Sequence, residues 1–184
     1  MKDVSFAVEE NSFCGLIGES GSGKSTVLMT LLGLLPAGAE ARGEILYKGR
    51  NILGLPEDEL RKLRQREIAL VAAGGAEFIH ARHDDRPPHK RGARGASRIK
   101  GEEAERRAAE LLREVELPAD IARRYPHELS GGQKQRAAIA LALSCEPSLV
   151  LADEPTTALD VITQAAILRL LEKLRREKIS RYCS

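Results

Sequence analysis

One stretch near the N-terminus, Gly18-Glu-Ser-Gly-Ser-Gly-Lys-Ser-Thr26, constrains this chain more than any other. Gly18, Gly21 and Gly23 permit a backbone curvature that a Cβ resists, so several N–H groups can turn inward around one anion. Glu19, Ser20 and Ser22 complete the loop. Lys24 adds a point charge for the outer phosphates of a nucleotide, and the Ser25 hydroxyl, with Thr26 behind it, suits a hard cation such as Mg²⁺. Upstream, Phe13–Ile17 reads as a short buried strand; downstream, Leu28, Leu31, Leu32 and Leu35 fall at helical spacing. Strand, Gly-rich loop and helix aim a helix N-terminus at the phosphate. A plain Gly/Ser linker has no reason to carry the complete pattern in that setting.

Two further stretches bear on the same chemistry. Leu129-Ser-Gly-Gly-Gln-Lys-Gln-Arg136 opens a helix that runs to about Ser144. Ser130 is a natural N-cap, and Gly131 and Gly132 leave the helix start bare, a second place for an anion. Taken alone, it reads equally well as an ordinary capped helix. Ser148–Ala152 is a buried strand followed directly by Asp153 and Glu154. A carboxylate at a strand end can hold a metal, and the next can polarise water beside a terminal phosphate. Without the upstream loop these acids would read as a solvated turn. Pro155–Asp160 is a loop, and a helix from Val161 to about Lys178 turns Ile162, Ala166, Ile167, Leu170, Leu171 and Leu174 inward.

Elsewhere Val4–Val8 alternates as a strand, and Gly43–Gly49 reads as a strand ending in a turn that Asn51–Leu53 resumes. Pro56–Arg66 is a charged helix with acids in its first turn, and Ile68–Val71 a short strand. Ala104, Ala108, Leu111, Leu112 and Val115 form one helix face, ended by Pro118. A net charge of +2 and 3% aromatic residues argue against a nucleic-acid partner, since neither a basic footprint nor stacking platforms are available. Cys14, Cys145 and Cys183 are isolated and fit a reducing compartment rather than a disulfide framework. No apolar run is long enough to span a bilayer, so work at a membrane requires docking onto another chain.

The phosphate loop, then Leu129–Arg136, then Leu149–Asp160 together resemble the ATP-binding subunit of an ABC transporter. Tyr125–Ser130 and Ala152–Val161 are similar to the dipeptide/oligopeptide importer branch. The resemblance implies an α/β fold, a P-loop nucleotidase (RecA-like) core with a helical subdomain, truncated at both ends. It implies a core over 1–71 and 137–184, with 72–136 as the helical, signature-bearing part and 72–100 anomalous. By position it implies that Gly18–Thr26 binds ATP and that Ser25 and Asp153 hold Mg²⁺. Glu154 is then the general base for the attacking water. Ser130, Gly131, Gly132 and Gln133 would clamp ATP held by a second cassette, identical or not, and Thr157, Ala158, Leu159 and Asp160 would form the D-loop across that interface. The implied setting is the cytoplasmic face of a membrane, where the subunit acts on permease subunits and, through them, with a solute-binding protein.

The chain departs from the family's pattern in three places. It lacks the first strand with its adenine-stacking aromatic residue, and it lacks the later strand and the histidine after it. Ala72 and Ala73 stand where a glutamine is expected. An alternative is therefore a degenerate or truncated module that binds ATP without useful turnover. Regular pattern stops at Ala72 and returns near Gly101. Reading Ala72–Phe78 one nucleotide later, with permitted codons, yields Pro-Gln-Gly-Ala-Leu-Asn-Ser, which contains that glutamine. A displaced frame over Ile179–Ser184 likewise yields an apolar strand. The gene's DNA tests this: codons for 72–100 are expected to encode the glutamine-bearing string in another frame, and codons that cannot do so refute it.

Overall fold

The computed structural model describes residues 3–72 and 101–178. The displaced-frame readings beyond Ala72, and Cys183, lie outside the described residues. The chain divides into two compact units, Met1–Arg64 and Gln65–Ser184, each described in turn.

In the first unit, α1 (Lys24–Leu31) follows the phosphate loop. A hairpin of β1 (Leu46–Tyr47) and β2 (Arg50–Asn51) pairs Leu46 with Asn51 and Tyr47 with Arg50. Its two-residue turn has both Lys48 and Gly49 in the left-handed region, the geometry whose twist matches paired strands. A hairpin thus forms where a strand, turn and strand are expected, but its ladder is limited to Leu46–Tyr47 and Arg50–Asn51 rather than the longer spans 43–49 and 51–53. Beyond the ladder, Ile52 N–H donates to the Ile45 carbonyl at 2.8 Å, and the Asn51 side-chain oxygen accepts from Ile45 and Leu53 N–H. These bonds seat Ile52 in the unit's small core with Leu32. Helix α2 (Glu57–Arg66) starts as expected with Glu57, Asp58 and Glu59 in its first turn, where the helix dipole favours them.

Two expected strands do not form. Val4–Val8 and Phe13–Ile17 carry no ladder partner, and their apolar side chains stay exposed, Ile17 at 97%. Alternation states only that one face prefers burial. A strand exists when a neighbour accepts its backbone bonds, and no described strand does so here.

The second unit is built on β3 (Ile68–Val71) and β4 (Leu149–Ala152), which pair in parallel from Ile68 with Leu149 to Val71 with Ala152. Helix α3 (Glu102–Glu114) is followed by short 3₁₀ turns at Ala119–Arg123 and Pro126–Glu128, then α4 (Gly131–Leu143) and α5 (Val161–Lys178). Helix α4 packs on β3, α3 and α5. The core lies among Val71, Leu111, Val115, Ile139, Ile167 and Leu170, all buried. Each such side chain contributes roughly 1.5–3 kcal/mol by leaving water. Ile162, expected to face inward, is 83% exposed. It sits in the first turn of α5, and the helix enters the core only deeper along its length, at Ile167 and Leu170.

Helix α3 ends with Leu117 N–H donating to the Leu112 carbonyl and Glu116 N–H to that of Arg113. This closure puts Glu116 in the left-handed region at φ 58°, where glycine is the usual residue. A carboxylate there has a use. Glu116 accepts from the Arg136 guanidinium of α4 at 2.7 Å and lies 3.7 Å from the Lys173 ammonium of α5. Arg136 also caps the Val115 carbonyl at 3.0 Å. One side chain thus ties three helices together.

The Arg136 hydrogen bond holds the Glu116 carboxyl below the usual carboxylate range. A depressed carboxylate stabilises the fold above its unfolded value, and that contribution is lost as pH falls through the folded value. Glu116→Gln is therefore expected to lower the urea midpoint at pH 7, with the gap to the parent narrowing below about pH 4. Equal gaps at both pH values in paired urea titrations would refute the ion pair as the cause.

Candidate functional site

The phosphate loop is built from its own backbone. Gly23 caps α1 at φ 98°, a conformation that side chains resist, and Val27 N–H bonds back to its carbonyl at 3.0 Å. A Cβ on Gly18 would sit 2.7 Å from Ser22 Oγ, so a larger residue there would force the Ser22 hydroxyl to turn away from its place in the loop. Ser22 N–H donates to the Glu19 carbonyl at 3.2 Å. Lys24 reaches back over the loop and donates from Nζ to the Gly18 and Glu19 carbonyls, both at 2.7 Å. Its ammonium is thereby held at the loop rather than sweeping through solvent. Ser25 and Thr26 follow as exposed residues of the first turn of α1. A cradle a Cβ would fill, with a fixed ammonium beside it, fits the phosphates of a nucleotide.

The remaining sequence-predicted residues lie in the second unit. Ser130 caps α4 as expected: Gln133 N–H donates to its Oγ at 3.3 Å, and Gln133 Oε1 accepts from Ser130 N–H at 3.0 Å. This reciprocal box satisfies two orphan donors of the helix start. The two glycines between them have a further reason. A Cβ on Gly131 would stand 3.0 Å from Leu159 Cδ2, and one on Gly132 would stand 2.8 Å from Thr163 Cγ2. The bare helix start is where the loop after β4 packs.

That loop begins with the two carboxylates. Asp153 N–H donates to the Val71 carbonyl at 2.9 Å, extending the parallel pairing by one bond past β4. Asp153 and Glu154 therefore stand at the carboxyl ends of both strands, the end at which parallel α/β sheets bind ligands. Glu154 is exposed and left-handed at φ 46°, and Ala158 is left-handed at φ 63°. Such conformations cost about 1–3 kcal/mol each and persist only where surrounding bonds impose them. Those bonds are present. Thr157 donates from its hydroxyl to Glu154 Oε2 at 2.9 Å and from its N–H to the Glu154 carbonyl at 3.1 Å. Asp160 ends the loop by capping α5, accepting from Thr163 N–H at 2.9 Å and from its hydroxyl at 2.6 Å. The Thr163 hydroxyl, then its N–H, holds the Asp160 carboxyl below its usual range, so it is anionic at the positive end of α5.

Sequence reasoning missed the ties that shape this loop. Gln164 donates from Nε2 to the Leu159 carbonyl at 3.0 Å and to the Thr156 carbonyl at 3.3 Å. A polar residue in the first turns of a helix carries no signal of that reach. Glu128, before the signature, caps Tyr125 N–H at 2.6 Å, and the Tyr125 and His127 rings stack at 5.6 Å. The structure thus sets Gly131 against Leu159 of the loop after β4 and Gly132 against Thr163 of α5. Ser25 belongs to the first unit and Asp153 to the second. As a hydroxyl and a carboxylate they are oxygen donors of the type Mg²⁺ accepts.

A phosphate loop, a capped Ser-Gly-Gly-Gln helix start and an acidic pair at the end of a parallel strand define a nucleotide-binding cassette. The chain belongs to the ABC transporter family, whose model matches residues 1–157. Among curated relatives, it is 42% identical over 177 residues to a probable peptide ABC transporter ATP-binding protein of Sinorhizobium fredii, covering 94% of this chain and 52% of that one. It is 39% identical to the oligopeptide transport ATP-binding protein OppD of Escherichia coli, covering 96% of this chain and 53% of the relative. The chain thus spans about half the length of the curated relatives it matches. Among solved structures it resembles the dimeric ATP-binding cassette MJ0796 in a post-hydrolysis state bound to ADP and Pi. There the TM-score is 0.78 at 34% identity, covering 94% of this chain and 73% of that one. Among the described residues, no helix is long and apolar enough to cross a membrane.

The close approach at Gly132 can be tested by a double-mutant cycle. Gly132→Ala is expected to set its new methyl against Thr163, while Thr163→Ser removes that methyl's neighbour and keeps the hydroxyl bonded to Asp160. The helix-propensity gain of alanine is the same in both backgrounds, so it cancels. Coupling of at least about 0.5 kcal/mol in urea unfolding is expected. Additive effects would refute the packing argument.

Proposed function

We propose that this chain binds and hydrolyses ATP as the energising subunit of a peptide importer. In this reading Gly18–Thr26 holds the phosphates of ATP, and Ser25 and Asp153 hold Mg²⁺, which when bound neutralises phosphate charge. Glu154 accepts the proton of the attacking water. Phosphoryl transfer needs position and charge more than covalent chemistry, and the loop geometry around Glu154 suits that need. The observation that carries the reading is Glu154 itself, held in a strained conformation by Thr157 at the carboxyl end of β4.

Ser130, Gly131, Gly132 and Gln133 complete the ATP site of a second cassette, identical or different, arranged head to tail. Thr157–Asp160 crosses between the two. Closure of such a pair assembles the site only when nucleotide is present. In this reading residues 1–71 and 137–184 belong to the nucleotidase core and 72–136 to the signature-bearing part, within which 72–100 is anomalous in sequence. The assembly sits at the cytoplasmic face of a membrane on permease subunits, which receive peptide from a solute-binding protein. The names of the relatives, a peptide transporter subunit and an oligopeptide transport subunit, support peptide as the solute.

A second reading, ATP binding without useful turnover, is favoured by Ala72, which follows β3 where the family's glutamine is expected. Steady-state ATPase assays on the full chain separate the two. Glu154→Gln is expected to lower kcat by about a hundredfold or more, the usual weight of a positioned general base, with fluorescent-ATP affinity little changed. Lys24→Ala is expected to abolish that affinity. ATP binding with no Glu154-dependent turnover would favour the second reading and overturn the first.

A further inference from the structure

The loop from Glu154 to Asp160 carries two left-handed residues that are not glycine, Glu154 and Ala158, and so does not hold its shape by intrinsic preference. Hydrogen bonds from neighbouring side chains hold it. Thr157 fixes the Glu154 carboxylate from inside the loop. Gln164, one turn into α5, reaches back and donates from one nitrogen to the carbonyls of Thr156 and Leu159, which flank Thr157 and Ala158. Leu159 in turn packs on the hydrophobic core and stands where a Cβ on Gly131 would meet it at 3.0 Å. Asp160 anchors the far end to Thr163. A continuous set of contacts therefore runs from the Glu154 carboxylate to the start of α4, and within it the Gln164 side chain ties both flanks of the bend.

We propose that Gln164 is a positioning residue: its carboxamide holds the loop so that Glu154 and the Ser130–Gln133 helix start keep one fixed relation. It touches no phosphate in this assignment and acts through Thr157 and Leu159. The proposal rests on the reading of Glu154 as general base for its catalytic consequence, but not for its structural one. A carbonyl pair accepts only from a donor, so the N–H group is the part that matters. Gln164→Glu keeps the shape and reverses the polarity, Gln164→Leu keeps the bulk and loses the donor, and Gln164→Lys keeps a donor of similar reach.

Two readouts on the full chain test this. Hydrogen exchange measures the loop directly: amides at 156–160 are expected to exchange at least several-fold faster in Gln164→Glu and Gln164→Leu, with those of α4 and the later turns of α5 unchanged. ATPase kinetics measure the consequence: kcat is expected to fall about tenfold with KM for ATP within about twofold, because a small displacement of a catalytic group slows the chemical step. Gln164→Lys is expected to recover most of both. Unchanged exchange at 156–160 in the Glu and Leu variants overturns the proposal. So does a loss that appears in KM rather than kcat, or equal behaviour of the Lys and Leu variants. If the parent chain shows no Glu154-dependent turnover, the general-base reading falls, and the exchange measurement alone decides the role of Gln164.

Discussion

The parallel pairing of β3 with β4 is the constraint on which the second unit depends. Its last bond, from Asp153 N–H to the Val71 carbonyl, ends the sheet at the residue where the acidic pair begins. Parallel strands have evenly spaced, slanted bonds and need crossover connections, so both faces must be covered. Helix α4 packs on β3 and so brings its own N-terminus, Ser130 to Gln133, into the same unit as the carboxylates. Without that pairing, Asp153 and Glu154 would be two charges on an unplaced turn.

The loop beyond β4 shows how strain and packing are balanced. Left-handed Glu154 and Ala158 each oppose the ordinary preference of an L-residue, and bonds from Thr157 and Gln164 oppose that preference in turn. The glycines of the α4 start belong to the same balance. They are small because Leu159 and Thr163 occupy the space their side chains would take. A feature that serves an anion at a helix N-terminus therefore also serves as a packing surface.

Charge is used sparingly in the core and deliberately at its edge. Glu116 accepts an unfavourable backbone conformation and joins α3, α4 and α5 through Arg136 and Lys173. A glycine would close α3 with less strain but would take away the carboxylate that faces the Arg136 guanidinium beside the Val115 carbonyl. On α5, Arg175 and then Arg176 hold Glu172 down to about 2, so the half-buried pair of Glu172 and Arg175, with Arg176 at its outer side, keeps its charge across the ordinary pH range.

The local features were legible in the sequence by itself. Ser130 and Gln133 form a capping box because the oxygen of one and the amide of the other reach each other within a single turn. The phosphate loop leading into α1 and the turn at Gly49 were legible because each depends on neighbours close in the chain. The chemical identity of the phosphate loop and of the acidic pair was legible for the same reason. What only the tertiary structure decided depends on residues far apart. Val4–Val8 and Phe13–Ile17 look like strands, yet no described partner accepts their backbone bonds, and Ile162 has the right phase for the core but lies at the exposed start of α5. The ties from Gln164 to Leu159, from Arg136 to Glu116, and from Thr163 against Gly132 have no sequence signature. A hydrogen-bonding side chain reads as polar until the fold supplies the atom it bonds, and a glycine reads as permissive until the fold supplies the side chain that fills its space.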